Sequence, residues 1–278
     1  MAAPNGGYSF ALSRARLALA GSAAPLELAA PWPAALALGS CAAYALFVIA
    51  AASSTWWRAG VRRLAQAHHG LLFAYSAAAF SAALAHLVSS GEAAEYLAWL
   101  VAPGSGSPPA APRLYCAPVP PWLRLVSLSF TLSKIWEWGD TLVLIAQGKS
   151  VADIGALHLY HHCTTFALFL VVANVPVTEK AGLLLNGGVH TLMYYHFAFR
   201  LPRAMRPLVT ALQIVQLAVV TWWWIDATRF CADAAAYRRE NALEYSFPFA
   251  TVPVYLLLFV KFFVESYMLG PKVKQKEV

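Results

Sequence analysis

The chain has 278 residues, of which 60% are hydrophobic, 13% aromatic and only 12% charged, with a mean hydropathy of +0.57. Soluble domains carry about 25% charged residues, so this composition excludes an ordinary soluble domain, as well as a disordered, collagen-like or disulfide-framework chain, and points to a polytopic helical membrane protein. The excess of 20 Lys and Arg over 13 Asp and Glu is then first a question of orientation in the bilayer, not of nucleic-acid binding.

In chain order, residues 1–31 read as a short amphipathic or disordered tail, although Arg14, Arg16 and the many Ala and Ser before Glu27 also fit a transit peptide or cleaved signal. A bilayer core about 30 Å thick needs roughly 20 apolar residues per helix, and that ruler predicts seven spans. They lie at 34–55, 70–90, 122–146, 158–175, 181–199, 207–227 and 247–269. Pro31 and Pro33 precede the first, Pro207 opens the sixth, and Gly270-Pro271 closes the last. Between the second and third, 91–101 reads as an interfacial helix and 102–121, rich in Pro, Gly and Ser, as a loop. The whole, 1–278, is one membrane domain: the tail 1–31, a bundle over 34–269 and a C-terminal tail 270–278.

Seven spans place the termini on opposite sides. With the C-terminus cytoplasmic, that side carries ten basic residues (Arg58, Arg62, Arg63, Lys149, Arg200, Arg203, Arg206, Lys272, Lys274, Lys276) against two acids, Asp153 and Glu277. The other side carries seven basic residues against eight acids, which supports an outside N-terminus and a cytoplasmic C-terminus.

Ionisable groups inside a span cost about 2.5–3.5 kcal/mol each on insertion scales and mark function by default. The third span holds Lys134, Glu137, Asp140 and Thr141, which at 100° per residue fall on one stripe. The fourth opens with His158, His161 and His162, spaced i, i+3 and i+4 on one face, where imidazole can serve as nucleophile, general base or metal ligand. The fifth carries Asn186, His190, Met193 and Tyr194, and the sixth Thr210, Gln213 and Gln216, which read equally as interhelical hydrogen-bonding residues or as pocket lining. His68, His69 and His86 lie off these stripes and receive no role. Cys163, next to the histidines, reads as a small buried residue rather than a nucleophile. A membrane di-iron desaturase or hydroxylase also uses His-x-x-His-His, but it needs several such boxes, and Lys134 is a poor neighbour for a cationic centre. A non-enzymatic seven-span receptor or transporter explains the spans but not the histidines facing charged residues.

Together the four segments resemble the ELO family of fatty-acid elongases, the 3-oxoacyl-CoA synthases of the endoplasmic reticulum. The pattern K-x-x-E-x-x-D-T is met by Lys134, Glu137, Asp140 and Thr141, and H-x-x-H-H by His158, His161 and His162. N-x-x-V-H-x-x-M-Y is met by Asn186, Val189, His190, Met193 and Tyr194, and T-x-x-Q-x-x-Q by Thr210, Gln213 and Gln216. Departures are Tyr195-His196-Phe197 where an aromatic pair is usual, Leu217 where Phe is common, and a basic cluster reduced to Lys149.

The resemblance implies an all-α fold with the later six helices bundled around an acyl-CoA tunnel. It implies decarboxylative condensation of malonyl-CoA with a long-chain acyl-CoA, with no cofactor or metal, and His161 as acyl carrier. His190 is expected to orient the malonyl thioester. His158 and His162, catalytic with His161 and His190, are expected to join Asn186 and the Lys134/Glu137/Asp140 stripe in supplying hydrogen bonds and charge to the enolate formed on loss of CO2, while that stripe, Asn186, Thr141, Met193, Tyr194, Gln213 and Gln216 are expected to bind substrate. CoA phosphates would meet Lys149, Arg200, Arg203 and Arg206. Expected partners are the bilayer and the reductases and dehydratase of the elongation cycle, with room for a homodimer and no nucleic acid. Cys116 and Cys231 fall in loops placed in the lumen, where a disulfide is allowed, and are expected to pair. Lys274 and Lys276 resemble a cytoplasmic dilysine retrieval signal.

Overall fold

The computed structural model describes residues 16–17, 26–27, 32–101, 112–173, 175–231, 235, 238–239 and 242–269. It is all-helical apart from one two-residue antiparallel pair in which Arg16 faces Glu27 and Leu17 faces Leu26. The expected C-terminal tail and the remainder of the N-terminal tail lie outside the described residues.

The helices are α1 (Trp32–Ser53), α2 (Arg58–Ser89), α3 (Glu92–Val101), α4 (Arg113–Cys116), α5 (Pro121–Trp136), α6 (Gly139–Ala146), α7 (Val151–Ile154) and α8 (Ala156–Val171). They continue with α9 (Pro176–Ala181), a π turn (Gly182–Asn186), α10 (Gly187–Phe199), α11 (Arg206–Phe230) and α12 (Ala242–Phe263), which ends in a second π turn. Among the described residues three stretches are long and apolar enough to cross a membrane by length and composition: Arg58–Ser89, Arg203–Phe230 and Tyr245–Met268; Leu38–Ser53 is a shorter apolar helix.

Each expected span has a helical counterpart, with two differences. The second begins a dozen residues early, because Arg58 to His69, polar in sequence, continue the same helix. The third is broken: Glu137 and Trp138 form a turn between α5 and α6, closed by tight i to i+3 bonds from Asp140 N to Glu137 O (3.0 Å) and from Thr141 N to Trp138 O (3.0 Å).

Consecutive long segments alternate in direction. At one end of the bundle the end of α1 meets α6 and α7 through Ala51, Ile145 and Ile154. At the opposite end Cys116 and Cys231 form a disulfide beside Val175, Val177 and Trp224. The first helix is not set aside from the other six: α1 packs on α8, with Cys41 Sγ donating to Cys163 O (2.9 Å), and reaches α6 through Tyr44, whose hydroxyl bonds Thr141 Oγ1 (2.9 Å).

The disulfide end is closed by charge. Lys180 donates to Glu92 (2.6 Å) and to Arg113 O (2.9 Å), Arg113 bonds Glu95 (2.6 Å), and Arg124 bonds Glu179 (3.1 Å). Glu92, Glu179 and Lys180 are buried. Three acids counted in sequence as lumenal surface charge are thus ion-pair partners that tie α3, α4, α5 and α9 together, and residues 113–116 of the expected loop are a helical turn held by that network. Burial tends to raise the Glu95 carboxyl, but the paired bonds from Arg113 outweigh it and hold it below the usual carboxylate range. Alkylating the denatured protein without reduction is expected to label two cysteines, Cys41 and Cys163, and with reduction four; four labelled without reductant would exclude the Cys116–Cys231 bond in the isolated protein.

Candidate active site

The histidine box sits in the first two turns of α8, but its three rings do not share one surface. His158 and His162 stack on each other (centroids 4.1 Å apart), and His158 Nε2 bonds Thr141 Oγ1 (2.9 Å). His161 turns the other way, toward α12, where its ring lies edge-on to Tyr255 (5.0 Å) and Phe259 (5.9 Å). The i, i+3, i+4 spacing covers an arc of about 100°, wide enough for the ends of the arc to meet different helices.

The third-span stripe also divides, because the turn at Glu137-Trp138 changes the phase of the helix. Lys134 Nζ, buried between the rings of Phe130 (4.2 Å) and Phe169 (5.1 Å), donates to Glu137 Oε1 (2.7 Å) and Asn186 Oδ1 (2.9 Å). Glu137 Oε1 lies 3.4 Å from His190 Nδ1. Asp140 faces a different pair of helices: its Oδ2 accepts from the Tyr194 hydroxyl (2.8 Å) and its Oδ1 lies 2.9 Å from His68 Nε2 and 3.4 Å from His69 Nε2. Thr141 reaches α1 and α8. The π turn just ahead shifts the register of the fifth segment, setting Asn186 toward Lys134 and His190 toward Glu137.

Two cavities meet at His161. The smaller, about 240 Å³ of empty space, is lined by His161, Asn186, His190, Gln213, Gln216, Leu217 and Phe259. The larger, about 800 Å³ counting its opening, runs from His161 along α8, α11 and α12. His161 Nδ1 is buried with no hydrogen-bond partner among the described residues, and so is His190 Nδ1 beyond its 3.4 Å approach to Glu137. A buried ring nitrogen without a partner is one that a ligand can satisfy.

Of the residues singled out from sequence, His161, His190, Asn186, Gln213 and Gln216 converge on this cavity. Lys134 and Glu137 stand one hydrogen bond behind it, and His158, His162, Asp140, Thr141 and Tyr194 form a second layer. Met193 accepts from Gln213 Nε2 through its sulfur (3.5 Å) and so fixes a lining amide. Lys149, Arg200, Arg203 and Arg206 are exposed on the loops at the same end of the bundle. Cys163 points toward α1, away from the cavity.

His68 and His69, given no role from sequence, hold Asp140. The pairing needs Gly139, since a Cβ there would lie 2.6 Å from the His68 ring. An adjacent His-His pair on a helix has no periodicity to mark it; the only available signal was that a carboxylate in an apolar span requires a partner. His68, His69 and Asp140 are also the grouping among the described residues whose donor atoms lie close enough, within 4.8 Å, to hold a metal ion. Their nitrogens and Oδ1 are at hydrogen-bonding separations as they stand. His86, likewise without a role, approaches Glu92 (3.5 Å) at the other end.

The family model described as ELO, the GNS1/SUR4 family, matches residues 29–276. Similar proteins include fatty acid elongase 1 of Trypanosoma brucei brucei, 33% identical over 161 residues that cover 51% of this chain and 49% of that protein. Long chain fatty acid elongase 2 of Caenorhabditis elegans is 31% identical over 154 residues (50% and 53%). Very long chain fatty acid elongase 3 of Homo sapiens is 31% identical over 170 residues (55% and 57%). The chain spans about half the length of the relatives it matches.

Removing one member of the Lys134–Glu137 pair leaves the other charge buried, which costs about 3–5 kcal/mol. Lys134→Met is expected to lower the unfolding midpoint in detergent sharply, and Lys134→Met with Glu137→Gln to recover much of the loss; equal midpoints for wild type and Lys134→Met would show the pair is not buried as described.

Proposed function

The chain belongs to the ELO (GNS1/SUR4) family, and on that footing we propose that it is a fatty-acid elongase, a 3-oxoacyl-CoA synthase that joins malonyl-CoA to an acyl-CoA. The observation that carries the reading is the pair His161, partly buried, and His190, buried, both lining one small cavity that shares His161 with a larger, mostly apolar one.

The chemistry is acyl transfer in two steps. An imidazole nitrogen of His161 attacks the acyl thioester carbonyl; the N–C bond forms, the C–S bond breaks, and the imidazole proton leaves with CoA as its thiol. Malonyl-CoA then loses its carboxylate as CO2. The electron pair released forms the new C–C bond to the acyl carbonyl, the N–C bond to His161 breaks, and the imidazole is regenerated on taking up a proton. The product is a 3-oxoacyl-CoA two carbons longer. His190, set by Glu137, orients the malonyl thioester and stabilises charge on its oxygen as CO2 leaves, with the lining amides of Asn186, Gln213 and Gln216 as further hydrogen-bonding groups. Lys134 and Glu137 act behind them, by fixing Asn186 and His190 rather than by touching substrate.

We place the box end at the cytoplasmic face of the endoplasmic reticulum membrane. Its support is the basic loops bearing Lys149, Arg200, Arg203 and Arg206, suited to the phosphates of CoA. In that orientation the disulfide end is lumenal. The 3-oxo product requires reduction and dehydration, which makes the reductases and dehydratase of such a cycle the natural partners.

Expression in a yeast without its own elongases, fed a panel of fatty acids, is expected to show acids gaining two carbons. His161→Ala and His190→Ala should each lower this by at least about a hundredfold, while Cys163→Ser retains it. No elongation of any fed acid by wild-type protein present in the membrane would overturn the proposal.

A further inference from the structure

The larger cavity has a measurable length and a chemically uniform wall. On α8 and its C-terminal cap the lining residues His161, Thr165, Leu168 and Val172 step down about one helix turn at a time, and on α11 it runs from Gln216 to Trp224. At about 1.5 Å per residue these stretches span about 16 Å and about 12 Å. The three threonines in the wall do not make it polar: Thr165 donates to His161 O, Thr178 to Val172 O (2.7 Å) and Thr221 to Leu217 O (2.8 Å), so each hydroxyl is engaged by a backbone carbonyl. What remains toward the cavity is hydrocarbon. Besides His161, the side-chain amides in the wall are Asn186 and Gln216; the Tyr255 hydroxyl is engaged with Thr164 (2.6 Å), and the polar group of the far end is the Trp224 indole N–H.

The far end is aromatic. Trp224 is buried at the level of Val172, with Tyr245 (6.1 Å) and Phe249 (6.4 Å) packed against it and 5.6 Å from each other. Two of the three, Trp224 and Phe249, line the cavity. The indole is anchored in the same core cluster as the Cys116–Cys231 disulfide, so it is held by packing that a flexible tail could not displace.

An extended hydrocarbon advances about 1.25 Å per carbon, from C–C bonds of about 1.5 Å at a near-tetrahedral angle, so the slot takes about 10 to 13 carbons beyond a carbonyl held at His161. We infer that the cavity selects straight apolar acyl chains of about 11 to 14 carbons and that Trp224, backed by Phe249 and Tyr245, is the stop that sets this ceiling. The inference rests on the elongase reading for its substrate but on the cavity alone for its length. Primers of this size require a preceding activity that supplies medium-chain acyl thioesters. Longer chains must bend or leave methylenes outside the slot, and each methylene left in water forfeits about 0.8 kcal/mol, a factor of about four in affinity.

The test separates binding from chemistry. The protein in nanodiscs is titrated with S-alkyl-CoA thioethers of about 8 to about 20 alkyl carbons, which have no carbonyl to react; affinity is expected to rise about fourfold per carbon and then level off or fall beyond about 14. Trp224→Phe is expected to move that break to longer chains. Val220→Phe, one turn nearer His161, is expected to move it to shorter ones by about 4 carbons, since one turn is about 5.4 Å. The two variants act in opposite directions, so misfolding of either leaves the other informative, and the same shifts should appear in the lengths of fed acids elongated. A break in the thioether series at this length without turnover of any acid would sustain the slot and refute the condensation. Affinity still climbing at about 20 carbons, or a break unmoved by whichever of the two variants folds, would overturn the inference.

Discussion

A lysine ammonium and a carboxylate buried inside an apolar bundle are the constraint around which the site is arranged. Neither charge could remain there alone, because the interior supplies no water to solvate it. Lys134 therefore meets Glu137 at 2.7 Å, spends a second donor on Asn186, and lies against two phenylalanine rings. Glu137 in turn approaches His190. One ion pair thus fixes α5, the π turn and α10 relative to one another, and the side chains it fixes include two that line the small cavity. The charge serves as scaffold, while His161, whose Nδ1 has no partner among the described residues, and His190, set by Glu137, line the cavity.

The same logic repeats at both ends of the bundle with different partners. Asp140 is held by Tyr194 and by His68 and His69, which ties α6 to α2 and α10. Lys180 is held by Glu92, which ties the start of the fifth segment to α3, and the disulfide joins the same region to the end of α11. Between these polar clamps the wall of the larger cavity is hydrocarbon. A bundle clamped at its ends by paired charges can keep an apolar slot open between its middles, since the packing that defines the slot is not asked to hold the helices together by itself.

A good deal of this was legible along the chain. Apolar runs of the right length located the helices, and polar residues at helical spacing inside those runs singled out the third to sixth segments, from which His161, Asn186, His190, Gln213 and Gln216 come together around one cavity. The misses have a common cause. The start of α2 and the partners Glu92, Glu179, His68 and His69 are polar residues near the ends of apolar runs, where sequence gives the same appearance to a solvated loop and to a buried ion pair. Only the position of the opposite charge in space distinguishes them, and the two halves of these pairs lie 88, 55 and 72 residues apart.

By itself, then, the sequence determined that the chain is helical and apolar enough for a membrane, which segments hold polar residues at helical spacing, and which residue types those are, because hydropathy and helical period are local properties. Tertiary structure decided how those residues divide. It turned His161 away from His158 and His162, set Lys134 and Glu137 behind the cavity rather than in it, sent Asp140 to histidines on another helix, and placed Trp224 at the far end of the slot. Each of these depends on a neighbour distant in sequence, and on a single break of helical phase at Glu137-Trp138 that periodicity, assuming one continuous helix, carries straight through.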